Sequence, residues 1–400
     1  MTVTIQPSRA RGAVAAPPSK SFAHRYLLAT ALAEGGGRVK GISQSEDMSA
    51  TLACAESLGA VYERDGDTVR FLGRGGKRDT IFPCHESGST LRFFIPIALS
   101  QTECATFLGT PRLIARGISV YEELFVTKGI TVERGEDRLT VKGKLTAGEF
   151  HLRGDVSSQF ITGLLYALPL LEGDSLLCVS SPVESRSYID ITLAVLKDFG
   201  IVIEEREPNV FFIAGGQRYA VRESVVEGDW SNGAFLLALN ALGGEVALSG
   251  LLPDSKQGDR VFPTLLARLE EPSPEIDLTD CPDLAPLLFA MAARGHGAHF
   301  TGTARLKIKE SDRVEAMRTE LEKVGARTEG MENTFTVLPS SLHPPKEVIE
   351  GHNDHRIVMA MAVLLTELGG SIFGAEAVKK SFPDFFAVLR KLQIEVSYDA

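Results

Sequence analysis

TLACAESLGAVYERDGDTVRFLG, residues 51–73, reads as an amphipathic helix, a stop at Gly59, and two short strands, Val61–Arg64 and Thr68–Leu72, turned at Asp65-Gly66. The same order returns in YEELFVTKGITVERGEDRLTVKG from Tyr121, in ITLAVLKDFGIVIEEREPNVFFIAGG from Ile191 and in VEAMRTELEKVGARTEGMENTFTVLP from Val314. A truncated copy, FFAVLRKLQIEVSYDA, starts at Phe385, and a shortened one occupies Phe262–Leu278. Gly59, Gly129, Gly200 and Gly325 fall where a helix ends in a left-handed residue, a conformation glycine adopts without steric cost. Recurrence on this scale points to a repeat architecture.

Before each such passage lies a polar cluster that leads into an apolar run. The clusters are PPSKSFAHR (17–25), ESGSTLRFF (86–94), GDVSSQF (154–160), GDWSNGAF (228–235), DCPDLAPLL (280–288) and HNDHRIVMA (352–360). Each places Ser, Asp or Asn to cap a helix N-terminus. The repeating unit is therefore β-α-β-α-β-β, present six times and three to a domain, in an α/β fold of two globular domains. An α/β chain of this size also contains helix–Gly–strand passages by chance. The matching Gly154-Asp155-x-Ser and Gly228-Asp229-x-Ser favour a true repeat. Three units per domain put one seam before Gly228 and the other before Pro17. Residues 1–16 then join 228–400 in a discontinuous domain, and 17–227 form an insert.

Four hundred residues suit two domains, and the composition, 44% hydrophobic and 24% charged, is that of a soluble globular protein. No apolar run is long enough to span a membrane, and the N-terminal residues lack the apolar core of a secretory signal. The five cysteines, Cys54, Cys84, Cys104, Cys178 and Cys281, are widely spaced with no C-x-x-C pair, which argues against a disulfide framework or zinc site and for a reducing cytoplasm. A formal charge of −10 disfavours nonspecific nucleic-acid binding, so the places where Lys and Arg gather are informative.

They gather in the capping clusters. Helix N-termini aimed at one place make an anion site, because their N–H groups are free and partially positive. Lys20, Ser21 and Arg25 suit a phosphate or carboxylate; a solvated basic turn is the plain alternative, although cations oppose the dipole there. Gly88 and Ser89 allow a backbone N–H to approach a ligand, or form a capping turn. Arg112 and Arg116, at i,i+4, read as oxyanion clamps or as exposed arginines. Ser157, Ser158 and Gln159 fit neutral donors or a simple cap, and Ser185 and Tyr188 add further donors. LKIKESDR (306–313) brings together Lys309, Glu310 and Arg313 with Lys307 and Asp312; read alone, it also fits a solvated charged loop. His355 and Arg356 open a helix, and a metal on His352 and His355 lacks a third ligand. Lys380 adds a cation before the last helix. Asp283 fits both a helix cap and a general base.

With these residues in view, the chain resembles the EPSP synthase family, 3-phosphoshikimate 1-carboxyvinyltransferases, over essentially its whole length. PPSKSFAHR, GSTLR, PRLIAR, GDVSSQF, PVESRSYID, VEGDWS, SKQGD, CPDLAP, IKESDR, NDHR and KKSFPDFF look like its motifs, in order. The resemblance implies an inside-out α/β barrel arrangement in each domain, a cleft between the domains, and transfer of the enolpyruvyl group of phosphoenolpyruvate to the 5-hydroxyl of shikimate 3-phosphate. It implies no metal or cofactor, no nucleic-acid or membrane partner, and a cytoplasmic monomer. Lys20, Ser21, Arg25, Ser157, Ser158, Gln159, Ser185, Tyr188, Asp283 and Lys309 would hold shikimate 3-phosphate. Lys20, Gly88, Arg116, Gln159, Arg313, His355, Arg356 and Lys380 would surround phosphoenolpyruvate. Asp283 and Glu310 would be the acid–base pair, assisted by Lys20. Glu86, Phe93 and Arg305 depart from the family pattern, where Asn, Pro and Asn are common; Gly88, tied in the family to glyphosate binding, is retained. Two rivals remain. One is a UDP-N-acetylglucosamine enolpyruvyl transferase, whose mobile-loop cysteine has no counterpart in Gly109–Gly117. The other is a noncatalytic anion-binding scaffold.

Overall fold

The computed structural model describes residues 1–399. The chain divides into two compact units, one made of Met1–Ser19 with the chain from Glu227 onward, the other of Lys20–Val226. Pro17, Pro18, Ser19 and Glu227 thus go with the discontinuous unit rather than with the insert. Pro18 pairs antiparallel with Gly228 there, and Ser19 N–H donates to the Glu227 carbonyl at 2.8 Å.

The inserted unit holds three four-stranded sheets of one design. In the middle motif, strand Ile81–His85 runs parallel to Cys104–Gly109, which pairs antiparallel with Arg138–Lys142, and that strand with Thr131–Arg134. Gly148–Arg153, Ser175–Ser180, Val210–Ile213 and Ile203–Glu207 repeat the order. Arg222–Val225, Gly37–Lys40, Thr68–Gly73 and Val61–Asp65 do so again, with the first strand supplied from the far end of the insert. The glycines read as helix stops have the required backbone: φ is 86° at Gly59, 66° at Gly129, 76° at Gly200 and 89° at Gly325.

Sequence composition decides which layer lies inside. Helices Lys20–Leu32, Gly88–Leu99 and Ser158–Ala167 have no continuous polar face and are buried nearly throughout, as a helix apolar on all sides must be. The strands instead alternate: Val69 and Phe71 are buried while Arg70 and Leu72 are exposed. The helices therefore form the interior and the sheets the outside. Gly163 lets two of these helices approach. A Cβ there would overlap the Tyr121 hydroxyl and the Arg92 carbonyl, and that hydroxyl lies 2.8 Å from both the Arg92 and Phe160 carbonyls, which share its one proton.

The discontinuous unit follows the same plan with one shortened member. Glu275–Asp277, Ala298–Thr301, Thr334–Leu338 and Arg327–Gly330 form one full sheet. In the other, Ile349–Glu350, Gly370–Phe373 and Val396–Asp399 are completed by Thr2–Ile5, which pairs antiparallel with two of them. The third motif keeps only the parallel pair Arg11–Ala15 and Glu245–Ser249; after helix Phe262–Arg268 the chain enters the next sheet without a hairpin. Among the described residues no helix is long and apolar enough to cross a membrane.

Four of the six expected helix entries carry side-chain caps, while helix Ala285–Arg294 follows the short turn Pro282–Leu284 with no side-chain cap, so Asp283 does not cap it. Ser87, Ser157, Asp229 and Asp354 each accept a hydrogen bond from a first-turn N–H, at 3.3, 3.3, 2.7 and 2.9 Å. The capping clusters therefore sit where strands hand over to buried helices. Overpacking at the helix contact should be measurable: Gly163→Ala is expected to lower stability by about 1–3 kcal/mol in urea unfolding, with no loss of secondary structure by circular dichroism.

Candidate active site

In the discontinuous unit one guanidinium organises the polar residues. Arg313 opens helix Arg313–Lys323 and is 1% exposed. Its Nε donates to Asp354 Oδ2 at 2.9 Å, one terminal nitrogen to Asp283 Oδ1 at 2.8 Å and the other to Glu310 Oε2 at 2.9 Å. Burial opposes its charge, but Asp354, Glu310 and Asp283 outweigh that and raise its pKa. Asp283 also lies 3.6 Å from Lys309 Nζ and 3.6 Å from Arg356. Burial pushes the Asp283 carboxyl up; Lys309, Arg356 and Arg313 overcome this and hold it well below the usual carboxylate range. Lys309 is lowered chiefly by burial, with Asp283 opposing.

Asp354 is fully buried and does two jobs. Its Oδ2 takes Arg313 and the Ser311 hydroxyl, at 2.9 and 3.0 Å, and its Oδ1 accepts the Arg356 N–H. Burial raises its pKa and Arg313 more than reverses this. Lys380 Nζ donates to the Asn353 carbonyl at 2.7 Å, and His355 is buried beside Asp354. Arg356 donates to Asn232 Oδ1 at 3.2 Å. Three buried atoms around it, Arg356 Nε, Asn232 Nδ2 and Asp259 Oδ1, have no hydrogen-bond partner among the described residues, a pattern that suits a polar ligand or water. Asp259 bonds the Ser231 hydroxyl. Burial, reinforced by the Asp283 charge, pushes its carboxyl up to about 7.

The inserted unit has its own cluster. Lys20, at the start of helix Lys20–Leu32, forms a half-buried ion pair with Asp47 in the first turn of helix Glu46–Ser57. Arg25 is turned inward: Nε donates to Thr192 at 2.8 Å, and its terminal nitrogens to the Ser21 carbonyl at 2.8 Å, the Tyr188 carbonyl at 3.0 Å and Thr162 at 3.3 Å. Burial lowers its pKa to about 10. Gly88 begins helix Gly88–Leu99 between two arginines; a Cβ there would lie 3.3 Å from Arg116 and 3.4 Å from Arg92. Arg92 holds Gln159 Oε1 at 2.5 Å, while Gln159 Nε2 donates to Ser89 at 2.9 Å. Arg116 Nε is buried with no hydrogen-bond partner among the described residues. Two cations, a helix N-terminus and the amide of Gln159 thus meet around a residue without a side chain, which can cradle an oxyanion.

A family model described as EPSP synthase (3-phosphoshikimate 1-carboxyvinyltransferase) matches residues 5–389. The chain belongs to the EPSP synthase family. Proteins named 3-phosphoshikimate 1-carboxyvinyltransferase from Clostridium kluyveri and Clostridium novyi are 39% and 37% identical to it, the alignments covering 98% of this chain and 98% and 97% of theirs. The fold is also that of solved structures. An EPSP synthase from Acinetobacter baumannii matches 99% of this chain and 100% of its own at TM-score 0.78 and 24% identity. The enolpyruvyl transferase NikO from Streptomyces tendae matches 99% of this chain and 98% of its own at TM-score 0.78 and 15% identity.

Of the residues expected from the sequence of this EPSP synthase family member, Asp283, Lys309, Glu310, Arg313 and Arg356 share one bonded cluster, with His355 and Lys380 attached through Asp354 and Asn353. Lys307 and Asp312, from the same charged run, are exposed. Gly88, Arg116 and Gln159 meet in the insert. Ser157 caps its helix, Ser158 is buried in the next position, and Ser185, with φ 55°, precedes helix Arg186–Asp198. Ser21 and Tyr188 contribute carbonyls to Arg25. Arg112 is exposed, and Gly109–Gly117 is largely a short helix, Pro111–Arg116. No group of three or more His, Cys, Asp or Glu suited to a metal occurs among the described residues.

Sequence reading passed over Asp47, Arg92, Asp259 and Asp354 as site residues. Arg92 and Asp259 stand inside quoted motifs without a visible partner, Asp47 lies in SEDMS, outside every quoted motif, and Asp354 reads as an ordinary cap. Arg92 was the most findable: an arginine followed by Phe93-Phe94 in an otherwise apolar helix needs a reason to be buried.

Two measurements check this geometry. Asp354→Ala leaves Arg313 buried with one partner fewer and is expected to destabilise the protein by about 3–5 kcal/mol in chemical denaturation. Asp259 has a folded pKa above its unfolded value, so its contribution is full at low pH and fades as pH rises toward about 7. Asp259→Asn should therefore gain stability relative to the parent between pH 5 and 8, read as a difference in Tm; a constant difference would contradict the assignment.

Proposed function

We propose that this chain is a 3-phosphoshikimate 1-carboxyvinyltransferase, transferring the enolpyruvyl group of phosphoenolpyruvate to the 5-hydroxyl of shikimate 3-phosphate and releasing phosphate. One observation carries the assignment of roles: Arg313 binds both Asp283 and Glu310, the two candidate acid–base groups, and so holds them a guanidinium's width apart. In this reading Asp283 takes the proton of the 5-hydroxyl as its oxygen adds to C2 of phosphoenolpyruvate, and Glu310 protonates C3. The tetrahedral adduct then loses phosphate from C2 as a proton leaves C3 to Glu310. Lys20, oriented by Asp47, assists at the transferring oxygen.

The depressed pKa of Asp283 fits a resting state in which the carboxylate neutralises the cations around it. Substrate phosphates and carboxylates compete for Lys309 and Arg356. Drawing those cations away raises the basicity of Asp283 only when substrate is present. The cradle at Gly88, Arg92, Arg116 and Gln159 takes an anionic group of phosphoenolpyruvate, while Ser157, Ser158, Ser185 and Tyr188 serve shikimate 3-phosphate. Arg25 acts from within, by fixing Ser21 and the Tyr188 carbonyl. The reading includes a monomer in the cytoplasm, consistent with five free cysteines.

An inorganic-phosphate assay tests the proposal. Release is expected with phosphoenolpyruvate and shikimate 3-phosphate and not with UDP-N-acetylglucosamine as acceptor; no release from the first pair sinks it. Glu310→Gln and Asp283→Ala should each cut kcat by about 10²–10⁴-fold. Near-normal turnover in either removes that residue from its role.

A further inference from the structure

We propose that Glu320 and His352 form a clamp that positions the turn carrying Asn353, Asp354 and Arg356, and thereby sets the affinity for phosphoenolpyruvate. The inference rests on the reading above for the roles of Arg356 and Lys380. It starts from an outlier in the backbone. His352 and Asn353 have φ of 50° and 51°, two successive non-glycine residues in the left-handed region. Such strain persists only where surrounding structure over-determines it, and it concentrates at functional turns.

The surroundings are specific. Glu320, on helix Arg313–Lys323, is fully buried. Its Oε1 takes His352 Nε2 at 2.7 Å; its Oε2 takes the Glu350 N–H at 2.9 Å and Lys323 Nζ at 2.7 Å. The side chain of Glu350 in turn accepts the His352 N–H at 3.3 Å. From the other side Lys380 holds the Asn353 carbonyl. One helix therefore grips the segment twice: Arg313 at its first turn binds Asp354, and Glu320 two turns later binds His352 and Glu350.

A buried ionised carboxylate adds little net stability over apolar packing, whereas it fixes geometry through directional bonds. Here the fixed geometry is that of the turn whose carbonyl holds Lys380 and whose Asp354 caps Arg356. The same contact gives His352, which from sequence could have paired with His355 at a metal, a different role. Neither Glu320 nor His352 is placed at the reacting atoms; both are positioning residues.

The test uses Glu320→Ala, His352→Ala and His352→Gln in the full chain. Both alanine variants should raise KM for phosphoenolpyruvate by about tenfold, with KM for shikimate 3-phosphate changed less than about twofold. His352→Gln, which can still donate to Glu320, should recover most of the loss. Amide hydrogen exchange at Asn353–Arg356, measured without substrate, should accelerate in the alanine variants and not in His352→Gln. Unchanged KM for phosphoenolpyruvate in folded alanine variants overturns the proposal. So does unchanged exchange at that turn, whether or not the parent protein is active. An inactive parent would instead count against the functional reading, leaving exchange to decide the clamp. Should Glu320→Ala fail to fold, His352→Ala, at a side chain 29% exposed, carries the same comparison.

Discussion

The buried guanidinium of Arg313 is the constraint on which the discontinuous unit's polar architecture depends. Its donors leave in fixed directions and end on Asp283, Glu310 and Asp354, which belong to three separate chain segments. Each segment also has local duties. Asp354 caps the helix of Arg356, Glu310 belongs to the charged run before Arg313, and Asp283 lies in the short turn leading into helix Ala285–Arg294. Because the charge is out of water, no partner can leave without exposing the others' imbalance. The cluster is consequently held as a set.

The two units carry clusters of different electrical character. Around Arg313, three carboxylates face three cations, Lys309, Arg313 and Arg356, so their charges are held in mutual neutralisation. Around Gly88, Arg92 and Arg116 converge with a neutral amide and a helix N-terminus. The second arrangement attracts an anion directly. In the functional reading proposed above, the first responds to one, since an arriving phosphate or carboxylate would change which partner each cation prefers and so the basicity of the carboxylate left behind.

The fold supplies these clusters through its inverted layering. Helices without a polar face must be buried, so their N-termini are the places where interior helices meet solvent-facing chain. Side-chain caps at Ser87, Ser157, Asp229 and Asp354 fix four of these entries. Close helix contact at Gly163, latched by the Tyr121 hydroxyl, sets the height at which Arg92 and Gln159 meet.

The amino-acid sequence alone determined everything governed by short-range periodicity. The repeating helix, glycine stop and hairpin, the capped helix entries and the order of the motifs follow from side-chain spacing and from the conformations glycine can adopt, and these survive in the structure at Gly59, Gly129, Gly200 and Gly325. Tertiary structure alone decided the partners. Nothing local pairs Lys20 with Asp47, Arg92 with Gln159 or His352 with Glu320, and nothing local turns Arg25 inward onto Thr162, Thr192 and the Tyr188 carbonyl while Lys307 stays in solvent. Spacing says which face of an element a residue occupies. Whether that face meets water, a carboxylate or another helix depends on elements far away in the chain, because burial and hydrogen-bond satisfaction are properties of the packed whole.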